Sequence, residues 1–99
     1  MRLSRLTPST NQLLGVAAVV GRQFSLDVLR AVLGQSDDEL EVSIEEAIAA
    51  GVVEERSVVG TDVTYRFSHA FFRETLYDEI IAPRRIRLHQ QIARAFEVV

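Results

Sequence analysis

Two short runs decide how this chain is read: Val52-Val53-Glu54-Glu55-Arg56 and Val63-Thr64-Tyr65-Arg66-Phe67. The second alternates strictly. Strand side chains point to opposite faces in turn, so Val63, Tyr65 and Phe67 share one face. The first run is a shorter strand, and Ser57 to Asp62, containing Gly60, is expected as the loop of a hairpin. Upstream, the pattern is helical. Thr7-Pro8 reads as an N-cap followed by proline at the first helical position, and Gly21 as the stop. Between them Leu13, Leu14, Val16, Ala17, Val19 and Val20 cover nearly the whole circumference, which predicts a central, buried helix. Ser25 caps a second helix, Leu26 to Leu33, closed by Gly34. Ser36 caps a third, with Glu39 completing a capping box and Gly51 at its end. Leu40, Ile44, Ala47 and Ile48 form its apolar face.

Downstream, a fourth helix is expected from about Ser68 to Ile81. Ala82-Pro83 breaks it, and a fifth begins at Pro83 with Leu88, Ile92 and Phe96 as its stripe. The fold class that follows is mostly α with a small β-hairpin. Three helices closed by a two-stranded wing make a winged helix, here with two extra C-terminal helices. The 99 residues are expected to form one domain.

Composition removes several kinds of chemistry. There is no cysteine, so disulfides and thiolate metal sites are excluded. All eleven basic residues are arginine. Without lysine there is no P-loop, no Schiff base and no Ser-Lys pair. His69 and His89 lie twenty residues apart on different helices, and no metal-binding spacing occurs. Neither a metal site nor an enzyme is expected. Arg2 and Arg5 precede the apolar run Leu13 to Val20, but the polar stretch Thr7 to Gln12 separates them, unlike a signal peptide. The run is too short to span a bilayer, so a cytoplasmic protein is expected.

The charge map argues against the function a winged helix first suggests. From Ser36 to Glu55 there are eight acidic residues and no basic one: Asp37, Asp38, Glu39, Glu41, Glu45, Glu46, Glu54 and Glu55. A recognition helix with six carboxylates is repelled by phosphates, and the wing tip carries no arginine. The net charge of −3 gives no support to a polyanion binder. The arginines gather instead at the start of the fifth helix: Arg84, Arg85 and Arg87, with Arg94 beyond. Cations at a helix N-terminus are mildly unfavourable, which invites an anionic partner. That partner could be an acidic protein surface, the third helix itself or a phosphate.

Three strings are more specific. Tyr65-x-Phe67-x-His69 continues into Arg73-Glu74-x-x-Tyr77. Upstream lies Ala17-Ala18-Val19-Val20-Gly21-Arg22-Gln23-Phe24, and downstream Arg84-Arg85-Ile86-Arg87-Leu88-His89. In this order and spacing the chain resembles the winged-helix domain of STAND-type signal-transduction ATPases. That group includes large LuxR-type and MalT-like regulators and bacterial cyclases with ATPase and TPR regions. The resemblance runs from about Leu6 to Phe96. It implies a regulatory module cut from a larger multidomain protein, packed between an ATPase core and downstream helical repeats. It implies no cofactor in this chain, and ADP or ATP in the adjacent core.

The resemblance also implies that His69 takes the place of the histidine that reaches the ADP β-phosphate and holds the closed, inactive form. The residues agree with that role. A strand-to-helix junction offers free N–H groups and the positive end of a helix dipole, and imidazole adds a donor. Arg73, one turn later, lies on the same helix face and is the second nucleotide-sensing candidate. Tyr77, Arg84, Arg85 and Arg87 are candidates for the interdomain face. Ser68-His69-Ala70 departs from the Met-His-Asp of plant and apoptotic relatives, so only the histidine carries over. Two alternatives stay open. One is a DNA-binding winged helix that uses the arginines of the fifth helix. The other is an interaction module whose acidic third helix takes a basic partner.

Overall fold

The computed structural model describes residues 6–60 and 62–98. Along the chain run α1 (Pro8–Val20), β1 (Gln23–Ser25), α2 (Leu26–Leu33), α3 (Asp37–Ala49), β2 (Val53–Val59), β3 (Asp62–Phe67), α4 (Ala70–Glu79) and α5 (Ala82–Val98). The protein is mostly helical with one small antiparallel sheet.

Local chemistry sets the first three helices where the sequence puts them. The Thr7 hydroxyl accepts the Thr10 N–H at 3.3 Å ahead of Pro8. Ser25 Oγ accepts from Val28 N at 3.2 Å, and Ser36 Oγ from Glu39 N at 3.3 Å. Each cap satisfies an otherwise orphaned first-turn donor, a contribution of about 1 kcal/mol. At the end of α2, Gly34 adopts φ 66° and returns its N–H to the Arg30 carbonyl. A side chain there would meet open space, so the left-handed backbone alone requires glycine.

α1 is the hub. Leu13, Leu14, Val16, Ala17, Ala18 and Val19 are all buried, and α2, α3, α4 and α5 each pack against it. Leu29 of α2, Leu40 of α3, Val52, Val53 and Phe67 complete the fully enclosed centre. Tyr65 and Phe67 face inward, as the alternation requires.

The sheet differs from expectation. It has three strands in the order β1-β3-β2, not two. β1 pairs Gln23 with Arg66, Phe24 with Tyr65 and Ser25 with Thr64. Burial of Phe24 drives this addition, since its ring lies 6.1 Å from Tyr65 and 5.4 Å from Phe67. β2 also runs past the expected loop start at Ser57 and pairs Val59 with Asp62. A bulge between Glu55 and Ser57 absorbs one residue, so pairing resumes beyond it.

Three helix details are corrected too. On α3, Ile48 is 39% exposed and Ser43 is buried, so the inward face is Leu40, Ser43, Ile44 and Ala47. On α5, Phe96 is 60% exposed and the small Ala95 takes the inward position after Leu88 and Ile92. α4 starts at Ala70, two residues later than expected, because His69 keeps an extended backbone as its cap. Among the described residues, no helix is long and apolar enough to cross a membrane.

Two ionisable groups on the sheet make the fold sensitive to pH. Burial pushes the Tyr65 hydroxyl above its ordinary range, and Glu55 and Glu41 add to the shift. A raised acid pKa stabilises the fold fully below the unfolded value near 10, and that contribution is lost as pH rises through the folded value. Tyr65→Phe is therefore expected to flatten the stability loss above about pH 10, read by urea melts along an alkaline series. Glu54 faces Arg66 in register across the strands and accepts from its Nε at 3.0 Å. That bond holds the Glu54 carboxyl below the usual range, with Arg66, Arg56 and Arg22 adding positive field. The sign is opposite to that of Tyr65: the contribution is present above about pH 4.3 and is lost as pH falls further. Glu54→Gln should remove part of the acid dependence in that window.

Candidate functional site

The chain leaves β3 under tight control. Phe67 N–H donates to the Arg22 carbonyl at 2.9 Å, and Ser68 N–H to the Val52 carbonyl at 2.8 Å. These bonds fix the point at which α4 begins. His69 is the N-cap of α4, with φ −138° and ψ 141°, and its side chain makes no capping bond. It is exposed. The ring lies 5.7 Å from Phe72, which lies 6.1 Å from the 67%-exposed Phe71. The first turn of α4 contains no acid, so nothing there opposes an anion.

Arg73 is placed for a different task. Its Nε donates to the Ala18 carbonyl of α1 at 2.9 Å, and the side chain is half-buried. The same guanidinium lies 5.5 Å from the centre of the Tyr77 ring, and Arg85 of α5 lies 5.2 Å from it. The Tyr77 hydroxyl and His89 Nε2 are 3.4 Å apart. Ala18, Arg73, Tyr77, Arg85 and His89 thus form a continuous polar ladder from α1 through α4 to α5. Its members come from all three of the specific strings. Cation–π contacts of this kind contribute about 0.5–1 kcal/mol at exposed sites.

The expected site residues therefore divide. Arg73, Tyr77 and Arg85 are brought together; His69, Arg84 and Arg87 are not part of that cluster. Arg84 borders a cleft of about 290 Å³ with Asn11, Gln12, Gly15, Glu79 and Leu88. Arg87 is exposed. Sequence reading missed the Ala18 carbonyl and His89 as partners. A main-chain acceptor leaves no side-chain signal, and Tyr77–His89 joins two helices whose mutual angle the sequence does not specify. A further cleft, of about 460 Å³, lies between the start of α1 and α3 and is bordered by Asp38, Glu39, Val42 and Glu46. Glu46 is engaged there, accepting the Thr7 N–H at 2.7 Å. Among the described residues, no cluster of histidines and carboxylates could hold a metal ion.

Comparison with protein-family models, with curated proteins and with solved structures finds no match.

Proposed function

We propose that this chain is a non-catalytic regulatory winged-helix module of a STAND-type signalling ATPase in the cytoplasm. In this reading it couples the nucleotide state of an adjacent ATPase core to downstream helical repeats. One observation carries the reading: His69 stands exposed at the start of α4 with its side chain unused by the cap. An imidazole so placed, beside the free N–H groups of a helix start, can donate to a phosphate oxygen of ADP bound in the core. The element order supports the winged-helix assignment, with three helices followed by the β2–β3 hairpin. β1 supports it too, by completing the sheet beside the helices. Arg73 and Tyr77 then serve as the internal brace that holds α4 in place, while Arg84 and Arg87 remain on the outer surface.

The test is made in the full-length protein containing the ATPase core. A hydrogen bond to a charged group contributes about 1.5–3 kcal/mol, so His69→Ala should weaken ADP retention by roughly ten- to a hundredfold. Basal signalling output should rise with it. Unchanged ADP retention, measured as nucleotide off-rate, would remove the sensor role.

The DNA-binding reading rests on a separate observation, the exposed arginines of α5. It predicts duplex affinity that falls steeply with salt. The acidic outer face of α3 opposes it.

A further inference from the structure

Two helix faces of this chain each carry charge of a single sign. On α3, Asp38, Glu41, Val42, Glu45 and Ala49 recur at i, i+3, i+4, i+7 and i+11, which places them on one face. All five are exposed, Val42 at 65%. On α5, Arg84, Arg87, Gln91 and Arg94 recur at i, i+3, i+7 and i+10 and are likewise exposed. Among the described residues, ion pairs join Arg30 to Asp27 and Asp37, and Arg66 to Glu54. None involves an arginine of α5. Glu79 borders the same cleft as Arg84 without pairing with it.

α1 keeps the two faces apart. Thr7 and Ser9 border α3, whereas Asn11, Gln12 and Gly15 border the α4–α5 turn. α3 and α5 both pack on α1 and not appreciably on each other. The acidic helix is therefore not the intramolecular partner of the arginines, and among the described residues neither stripe has an ion-pair partner.

We propose that the acidic face of α3 on one copy of this chain docks on the arginine stripe of α5 on a second copy. The occupant is a second copy because each stripe supplies what the other lacks. They are opposite in sign and similar in reach. At 1.5 Å per residue, the acids from Asp38 to Glu45 span about 10 Å and the arginines from Arg84 to Arg94 about 15 Å. Val42 and Ala49 add apolar contact beside the carboxylates. The two faces differ, so the contact is heterologous: each copy retains one free face of each kind, and assembly continues into short open chains or closes into a ring. A single helix-on-helix contact is smaller than a standard stable interface, so the association is weak. It rests on exposed charges and is therefore screened by salt. It needs no nucleotide and stands independently of the sensor reading.

The experiment is sedimentation equilibrium on the 99-residue chain up to millimolar concentration, without nucleotide. Salt is set at about 0.01 M and about 1 M, where the screening length is roughly 30 Å and 3 Å. Two neutralised variants are compared, E41Q/E45Q and R84Q/R87Q/R94Q. Asp38 is left in place because an acid in the first turn favours the helix. All five substituted residues are exposed, and circular dichroism verifies the fold. The weight-average mass of the unsubstituted chain should at least double with concentration at low salt and return to the monomer value at high salt. Each variant alone should stay monomeric. An equal mixture of the two should stop at a one-to-one heterodimer, because only one complementary pair of faces remains. A monomer at every concentration in low salt overturns the proposal. So does association that either variant retains alone, or a mixture that stays monomeric.

Discussion

Replacing Phe67 by alanine is expected to remove about 3–5 kcal/mol of stability. The side chain is fully buried, in the central strand of the sheet. Its ring packs 5.4 Å from Phe24, and its backbone pairs with Val53. Phe24 and Val53 beside it are themselves buried, so the vacated space is expected to close only in part. Domains of this size hold roughly 5–15 kcal/mol in total, so the loss takes a large share. The urea midpoint should fall with little change in slope, since the surface exposed on unfolding stays the same. A loss under about 1 kcal/mol would mean that the core repacks, against the close packing described. The result bears on function through position. Phe67 lies two residues before His69, and its N–H bond to the Arg22 carbonyl fixes where α4 begins.

The second large effect is expected from Arg73→Met. Methionine keeps an apolar stem of similar length but removes the donor to the Ala18 carbonyl. A part-buried acceptor left unpaired costs about 1–3 kcal/mol. In a domain of this length each kcal/mol shifts the melting temperature by about 4–8 °C. Location separates this change from Phe67→Ala. The ladder joins α1, α4 and α5, so backbone amides of α4 and α5 should exchange faster while those of the β2–β3 hairpin stay protected. Uniform acceleration over the whole chain would show that the ladder has no local role. Arg73→Lys should not rescue fully, because a compact ammonium cannot both donate to the carbonyl and spread over the Tyr77 ring as the guanidinium does.

What could be read from the sequence follows from how each feature is encoded. Thr7-Pro8, Ser25, Ser36 and the closing glycines act through short-range geometry, so they marked the ends of α1, α2 and α3 closely. Strict alternation at Val63 to Phe67 placed Tyr65 and Phe67 inward for the same reason. β1 was invisible because three residues carry no periodicity. Its existence depends on Phe24 finding Tyr65 and Phe67, about forty residues further along. The exchange of Ile48 for Ser43, and of Phe96 for Ala95, reflects how closely neighbouring elements approach, which a hydrophobic pattern does not encode. At the candidate site, the position of His69 at the strand-to-helix junction was legible from the end of one alternating run and the start of the next helix. The division of the arginines between an internal brace and an outer surface was not. It depends on which carbonyl of α1 faces α4, and on the turn that brings Arg85 over Tyr77.

The late strand has a kinetic meaning. The β2–β3 hairpin can zip locally, since Val59 and Asp62 are near neighbours in the chain. β1 pairs Gln23 with Arg66, so it waits until α2, α3 and the hairpin have closed a long loop. Loop closure carries an entropic cost before any contact rewards it. The hairpin is then expected to form before β1 docks on it, with the Phe24 ring entering late. A Phe24 lesion should then speed unfolding while leaving the folding rate nearly unchanged, the signature of a residue that seals the domain after its transition state has passed.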